Sequence, residues 1–233
     1  MTQNCWNTPE LESAGDGKIL IGSGSGRPAA ANITGDSNVS ISNGTNSITV
    51  NMSESAGSLV KISTATASAS ASVSFTGLSS TYFMYMIRYS DVQPATDSTY
   101  FAMRTSTDNG SSYDSGASDY VWAMNYINQA GSENGENDTA DSWIRIIGDN
   151  ATNDMGTGTN EKGSGVIYLY NPSASKYTFI NSEAFFLNQD TENTNVYVAG
   201  FRASAADVDA IQLLMSSGNI ASGEFVLYGV KNT

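Results

Sequence analysis

Apolar residues along most of this chain recur at every second position in short runs, and Gly, Asn, Asp or Ser closes each run. A period of two is the mark of a strand with one buried face. The pattern is clearest where Tyr120, Trp122, Met124 and Tyr126 share one face, with Val121 and Ala123 opposite. The run Tyr82–Tyr89 is apolar on both parities, as expected of a central strand covered on both sides. Further strands are expected at Tyr100–Arg104, after a turn containing Pro94, and at Trp143–Ile147. Others follow at Val166–Tyr170, Tyr177–Ile180, Phe185–Leu187, Val196–Phe201, Ile211–Met215 and Glu224–Val230. Polar stretches at Ser106–Ser118, Gly131–Asp141 and Asp149–Gly165 read as loops. The segment Ala203–Ala210 suits one helical turn, and no segment carries a long amphipathic helical pattern. Many strands without alternating helices predict an all-β chain, with a jelly-roll-like β-sandwich over residues 77–233.

The pattern is thinner before residue 77. A short apolar run, Ile19-Leu20-Ile21, leads into the turn-forming Gly22–Gly26. Two short strands, Val39-Ser40-Ile41 and Ile48-Thr49-Val50, are expected to join across Asn43-Gly44, a pair suited to a hairpin turn. Leu59–Ser63 extends this region, and Gly57-Ser58 marks another turn. The alternating Ala67–Ser72 predicts an extended strand, because Val73 and Phe75 continue the parity of Ala67, Ala69 and Ala71. Two-stranded units this small are marginal in water, so they need a partner, and further copies of the same chain are the simplest one. The result is a division into an N-terminal segment 1–17, a short extended region 18–76 and a head 77–233. Residues 1–17 have no periodicity. Trp6 stands out there, packed on its own chain or serving as an anchor into another protein.

The order of pieces from Gly17 to Val50 also resembles a known family. Gly17-Lys18-Ile19-Leu20-Ile21-Gly22-Ser23 is followed by Pro28 and small residues. Ile33-Thr34-Gly35, Val39–Gly44 and Ser47-Ile48-Thr49-Val50 complete the series. This resembles the linker and shaft segments of bacteriophage tail-fibre and related virion proteins. The closing stretch from Ser216 through Gly218, Ser222-Gly223 and Phe225 to Leu227-Tyr228-Gly229 is similar to the last strands of their sandwich heads. Phe75–Ser80 with Tyr82 and Tyr85, and Met103-Arg104 with Asn109-Gly110 and Tyr113-Asp114-Ser115, match the front of such a head. The resemblance implies an intertwined homotrimer. A single shaft-like unit departs from a long fibre.

Composition narrows the chemistry. Charged residues make up 14% of the chain, against about 25% in ordinary soluble domains. With 10 basic and 23 acidic residues the net charge is −13, which argues against nucleic acid and anionic membrane as partners. Histidine is absent, which removes imidazole catalysis and histidine metal sites. Cys5 is the only cysteine, so any disulfide would have to join two chains. No basic start and apolar core of a cleaved export signal is read at the N-terminus, and no run reaches membrane-spanning length. Carboxylates remain as the catalytic option: Glu133, Glu136, Asp138 and Asp141 in one stretch, Asp149, Asp154 and Glu161 in another. They sit in hydrophilic, Gly-rich sequence where desolvation cannot raise a carboxyl pKa, and no calcium-loop spacing occurs. No catalytic residue, cofactor or metal is therefore expected.

The expected function is structural. The chain would be made in a bacterial cytoplasm and built into the virion of a tailed phage as a short homotrimeric appendage. Residues 1–17, with Trp6, would attach to another virion protein of tail or capsid. The head would contact the host surface or stabilise the particle. Tyr113, Trp143 and Tyr177, aromatics beside polar loops, are the candidate glycan contacts, and the loops Ser106–Ser118 and Gly131–Asp141 would form the variable surface. A capsid decoration or head fibre is the alternative location. A carbohydrate-binding or glycan-depolymerising sandwich, or a secreted lectin, are the alternative functions.

Overall fold

A computed structural model describes residues 18–21, 29–36, 39–44, 47–52, 59–148 and 153–231. Trp6 and the rest of the 1–17 attachment segment lie outside them. Contacts divide the chain into two units, Met1–Gly57 and Ser58–Thr233. The head therefore begins near Ser58 instead of residue 77, and the strands read as the end of the shaft-like region belong to it.

In the first unit, β1 (Lys18–Ile21) pairs with β2 (Ala29–Asn32), and β3 (Val39–Gly44) pairs with β4 (Ser47–Met52), both antiparallel. The predicted hairpin is present, but Asn43 and Gly44 pair with Ile48 and Ser47 and so end a strand. Val50 is 56% and Met52 79% exposed, so the β3–β4 hairpin buries no core of its own.

The second unit is a sandwich of an eight-stranded and a four-stranded antiparallel sheet. Its strands are β5 (Leu59–Ser70), β6 (Ser72–Thr76), β7 (Met84–Pro94), β8 (Phe101–Ser106), β9 (Tyr120–Asn128) and β10 (Glu133–Asp141). They continue as β11 (Ile144–Ile147), β12 (Gly163–Tyr170), β13 (Phe179–Leu187), β14 (Asn193–Arg202), β15 (Ala210–Met215) and β16 (Ile220–Val230). The pairs β5/β16, β6/β15, β7/β12 and β8/β11 are nested one inside the next, which is the jelly-roll order. They give β5-β16-β7-β12 in one sheet and β6-β15-β8-β11 in the other. The hairpins β9–β10 and β13–β14 are insertions, and both add to the first sheet beyond β12, in the order β13-β14-β9-β10.

The Ala/Ser stretch is a strand, as expected, with one difference. Ala67 is buried, whereas Ala69 and Ala71 are exposed before Val73 and Phe75 turn inward again. Ala69 takes a left-handed φ of 51°, and the chain there crosses from the large sheet to the small one. Between the sheets, Tyr89 on β7, Phe101 on β8 and Phe225 on β16 form one aromatic contact group, with centroids 5.4–6.5 Å apart. Ile87, Met103, Ile144, Ile167, Ile211 and Leu213 are fully buried around it. Each such side chain contributes about 1.5–3 kcal/mol.

Three further expectations are corrected. Glu133–Asp141, read as a loop, is the edge strand β10, held to β9 from Glu133↔Ile127 to Asp138↔Trp122. Backbone pairing needs no apolar side chain, and charge on an edge strand discourages further pairing. Residues 179–187 form one strand rather than two, because Ser182 in its middle is buried and its Oγ donates to the Val166 carbonyl at 3.0 Å. Ala203–Ala210 forms no helical turn. Val208 N donates instead to the Pro172 carbonyl at 2.8 Å, and Ala206 bridges to Lys176.

Candidate functional site

An antiparallel sheet with one face on a core normally turns polar side chains to water on the other. The outer face of the eight-stranded sheet departs from that rule. Cross-strand register places Val121, Phe201, Phe179, Tyr170, Met84, Val230 and Leu59 side by side on successive strands. Six inter-strand steps make this row about 29 Å long. No charged residue interrupts it. Phe179 is 52%, Leu59 48% and Tyr170 36% exposed. The next row continues the apolar character through Ala123, Ala199, Tyr168, Met86 and Tyr228, broken by Asn181 and ending on Lys61. The run Tyr82–Tyr89 was apolar on both parities for this reason: Tyr85, Ile87 and Tyr89 point to the core, while Met84 and Met86 lie in the outer rows, half-buried.

At one end of the row Phe201 packs between Tyr177 and Phe179, with centroids 5.5 and 5.7 Å away. Phe179, Phe201 and Tyr170 open onto a groove of about 670 Å³, which Asn137, Asp138 and Asn181 border. Asn181 is partly committed, since its Nδ2 donates to the Val198 carbonyl at 3.2 Å.

Of the three aromatics singled out from sequence, only Tyr177 reaches this face. Tyr113 is half-buried in the loop after β8, its hydroxyl against Gly110, where a Cβ would come within 2.8 Å of it. That loop is tied down from both ends. The Asp108 carboxylate accepts from Ser112 N at 2.9 Å, Ser112 Oγ at 2.6 Å and Ser106 Oγ at 2.7 Å. The hydrogen bonds from Ser112, with a smaller one from Ser106, hold the Asp108 carboxyl down at about 2. Asp114 accepts from Arg202 Nε at 2.7 Å, and that bond raises the guanidinium further above its already high range.

Trp143 is half-buried and packed against other residues of the head. Its ring meets Tyr100 edge-on at 5.4 Å and lies 4.9 Å from the Arg104 guanidinium. The Arg145 guanidinium continues the stack, 4.4 Å from Tyr100 and 5.0 Å from Trp122, and pairs with Glu136 at 3.2 Å. Two of the four carboxylates on β10 are thereby occupied: Glu136 by Arg145, and Asp141 by Trp122 Nε1 at 2.9 Å. In the second acidic stretch, Glu161 accepts from Gly158 N at 2.6 Å and closes its own turn. Among the described residues no group of three or more acidic or cysteine side chains converges as a metal site.

Sequence reasoning placed strands at Tyr170, Phe179 and Phe201 but did not assign their faces. The available signal was parity: Tyr177, Phe179 and Phe185 are odd while Ile180, Ala184 and Phe186 are even, so this stretch had two apolar faces. No protein-family model matches the chain, and no curated protein matches it.

Proposed function

We propose that this chain is a binding and display protein, a short homotrimeric appendage of a tailed-phage virion, acting by contact without turnover. The observation that carries the reading is the charge-free apolar row from Val121 to Leu59. For whole aromatic side chains of ~200 Å², Phe179, Tyr177 and Tyr170 alone leave about 270 Å² exposed, and patches of this class mark contact surfaces. In a chain of net charge −13, two copies repel least where they meet through a row without carboxylates. In chain order, Leu59 of the row follows the unit whose β3–β4 hairpin has no core of its own. Copies joined through residues 18–52 would hold the heads at high local concentration, so a modest head-to-head contact suffices. Residues 1–17 would attach the appendage to tail or capsid, leaving the far end of the head to meet the host surface.

Light scattering on the full-length protein with reductant present tests this. A mass near three times 24.5 kDa is expected. A folded monomer at every concentration would overturn the trimer and with it the assignment of the row.

A further inference from the structure

The other end of the same sheet face has a different character, and we infer that it is a binding site for a carboxylate-bearing sugar of a surface glycan. The inference builds on the host-contact part of the function proposed above and names its ligand class.

Phe185 is 57% exposed, but unlike Phe179 it has no apolar neighbours in its row. Register sets Ser164 beside it on β12 and Asn195 beside it on β14. Two hollows, of about 340 and 440 Å³, meet at Phe185 and Ser164. Asp91, Asn160, Lys162 and Asn193 border the first. Arg88 and Glu183 border the second. A half-exposed ring whose direct cross-strand partners are Ser164 and Asn195, with Val166 and Leu187 in the hollow walls, does not suit a protein core contact. It suits a ligand with one apolar face and a polar rim, which is the shape of a pyranose.

The cations specify the charge. Arg145 pairs with Glu136, Arg202 with Asp114, and Arg104 donates to the Ser142 carbonyl at 3.1 Å while stacking on Trp143. Arg88 is the described arginine with no such partner, and the Lys162 side chain likewise makes no ion pair or hydrogen bond among the described residues. Two uncommitted cations beside one exposed ring, in a protein of charge −13, form a receptor for a carboxylate, with the guanidinium fork able to take it bidentately.

The backbone is shaped at the same place. The register of β7 slips against both β12 and β16 around Ser90 and Asp91. Asp91 takes a left-handed φ of 54° and its N–H donates to Ser164 Oγ at 3.2 Å. A bulge re-aims a side chain, and here it sets the Asp91 carboxylate on the rim. With Phe185 under the C–H face of the ring, Asp91 and Glu183 accept from hydroxyls, Asn160 and Asn193 complete the rim, Arg88 holds the carboxylate from the second hollow, and Lys162 adds positive charge from the first.

The test is calorimetric titration of the full-length protein with oligosaccharides containing uronic or sialic acids, each beside its carboxyl-reduced neutral counterpart. Binding to an acidic member and not to its reduced form is expected. Phe185→Ala should abolish it, and Arg88→Ala should weaken it at least about tenfold, the range for hydrogen bonds to a charged group. Arg88→Lys should fall between, having kept the charge and lost the fork. Both side chains are exposed, so circular dichroism should show unchanged folds. Equal affinity for acidic and reduced forms, binding indifferent to Phe185→Ala and Arg88→Ala, or no binding to any acidic member would overturn the inference. The solution mass does not enter this result, so the trimer and the sugar site fail separately.

Discussion

Phe179→Ser is the sharpest perturbation of the apolar row. Phe179 is 52% exposed in the single chain, which leaves about 100 Å² of a ~200 Å² side chain for a partner to cover. At ~25 cal/mol per Å², covering it contributes about 2.6 kcal/mol per copy. Three copies in a trimer sum to about 8 kcal/mol, and since 1.36 kcal/mol is tenfold, the three-body association constant should fall by between five and six orders of magnitude. Dissociation of a trimer into monomers scales with the square of concentration, so the midpoint should move up by nearly three orders of magnitude. Light scattering over a dilution series reads this directly. The monomer also loses the packed half of the ring against Phe201, 5.7 Å away, so far-ultraviolet circular dichroism must show an intact fold at the assay temperature. A wild-type trimer whose midpoint is unchanged in a folded Phe179→Ser protein would refute the reasoning. Its copies would then be held elsewhere, and the row would be covered by something other than this chain.

Three more outcomes follow from the head itself. Gly165→Val should lower the melting temperature by about 10 °C, from an overpacking cost of about 3 kcal/mol, because a Cβ there would fall 2.6 Å from the Tyr89 hydroxyl and 2.9 Å from the Ala184 Cα; an unchanged melt would show that the sheet yields freely. The Asp108 carboxyl is lowered from 3.8 to about 2, so the order it gives the 106–112 turn is present above pH 3.8 and lost as pH falls through about 2; the protection of the Ser112 amide, relative to an unstructured peptide at the same pH, should fall over that window in the wild type and stay constant in Asp108→Asn, and equal profiles would remove the carboxylate's role. Burial pushes the Tyr120 hydroxyl up to about 12 and raises Tyr89 as well, so the stability these neutral phenols contribute is present below pH 10 and lost as pH rises through about 12; phenolate absorbance at pH 11 should fall short of all 12 tyrosines while the fold persists, and complete ionisation in a native-like protein would contradict the burial.

Legibility varied by element for physical reasons. β9 was readable because Tyr120, Trp122, Met124 and Tyr126 alternate with smaller or polar residues, and all four are buried. β10 was not, because Glu133–Asp141 pairs through its backbone at a sheet edge, where side chains carry no burial signal. Asn43-Gly44 read as a turn but pairs as the end of β3, since turn residues also tolerate the end of a strand. Among the aromatics, Trp143 and Tyr113 looked like surface groups because polar residues flank them in sequence. Arg104 and Tyr100 pack on Trp143 from a distant part of the chain, and the Tyr113 hydroxyl lies against Gly110.

The sequence by itself determined the all-β class, most strand positions, the inward face of β9 and the exclusion of imidazole chemistry. These depend on local period and composition, which chain neighbours set. Tertiary structure alone decided which strands are neighbours. The nested jelly-roll pairing joins Leu59 to Val230 and Tyr170 to Met84, partners far apart in the chain, and a row on a sheet face exists only once register is known. The apolar row and the Phe185 hollow are both products of that register, because side-chain period along a strand says which face a residue takes but never which residue stands beside it.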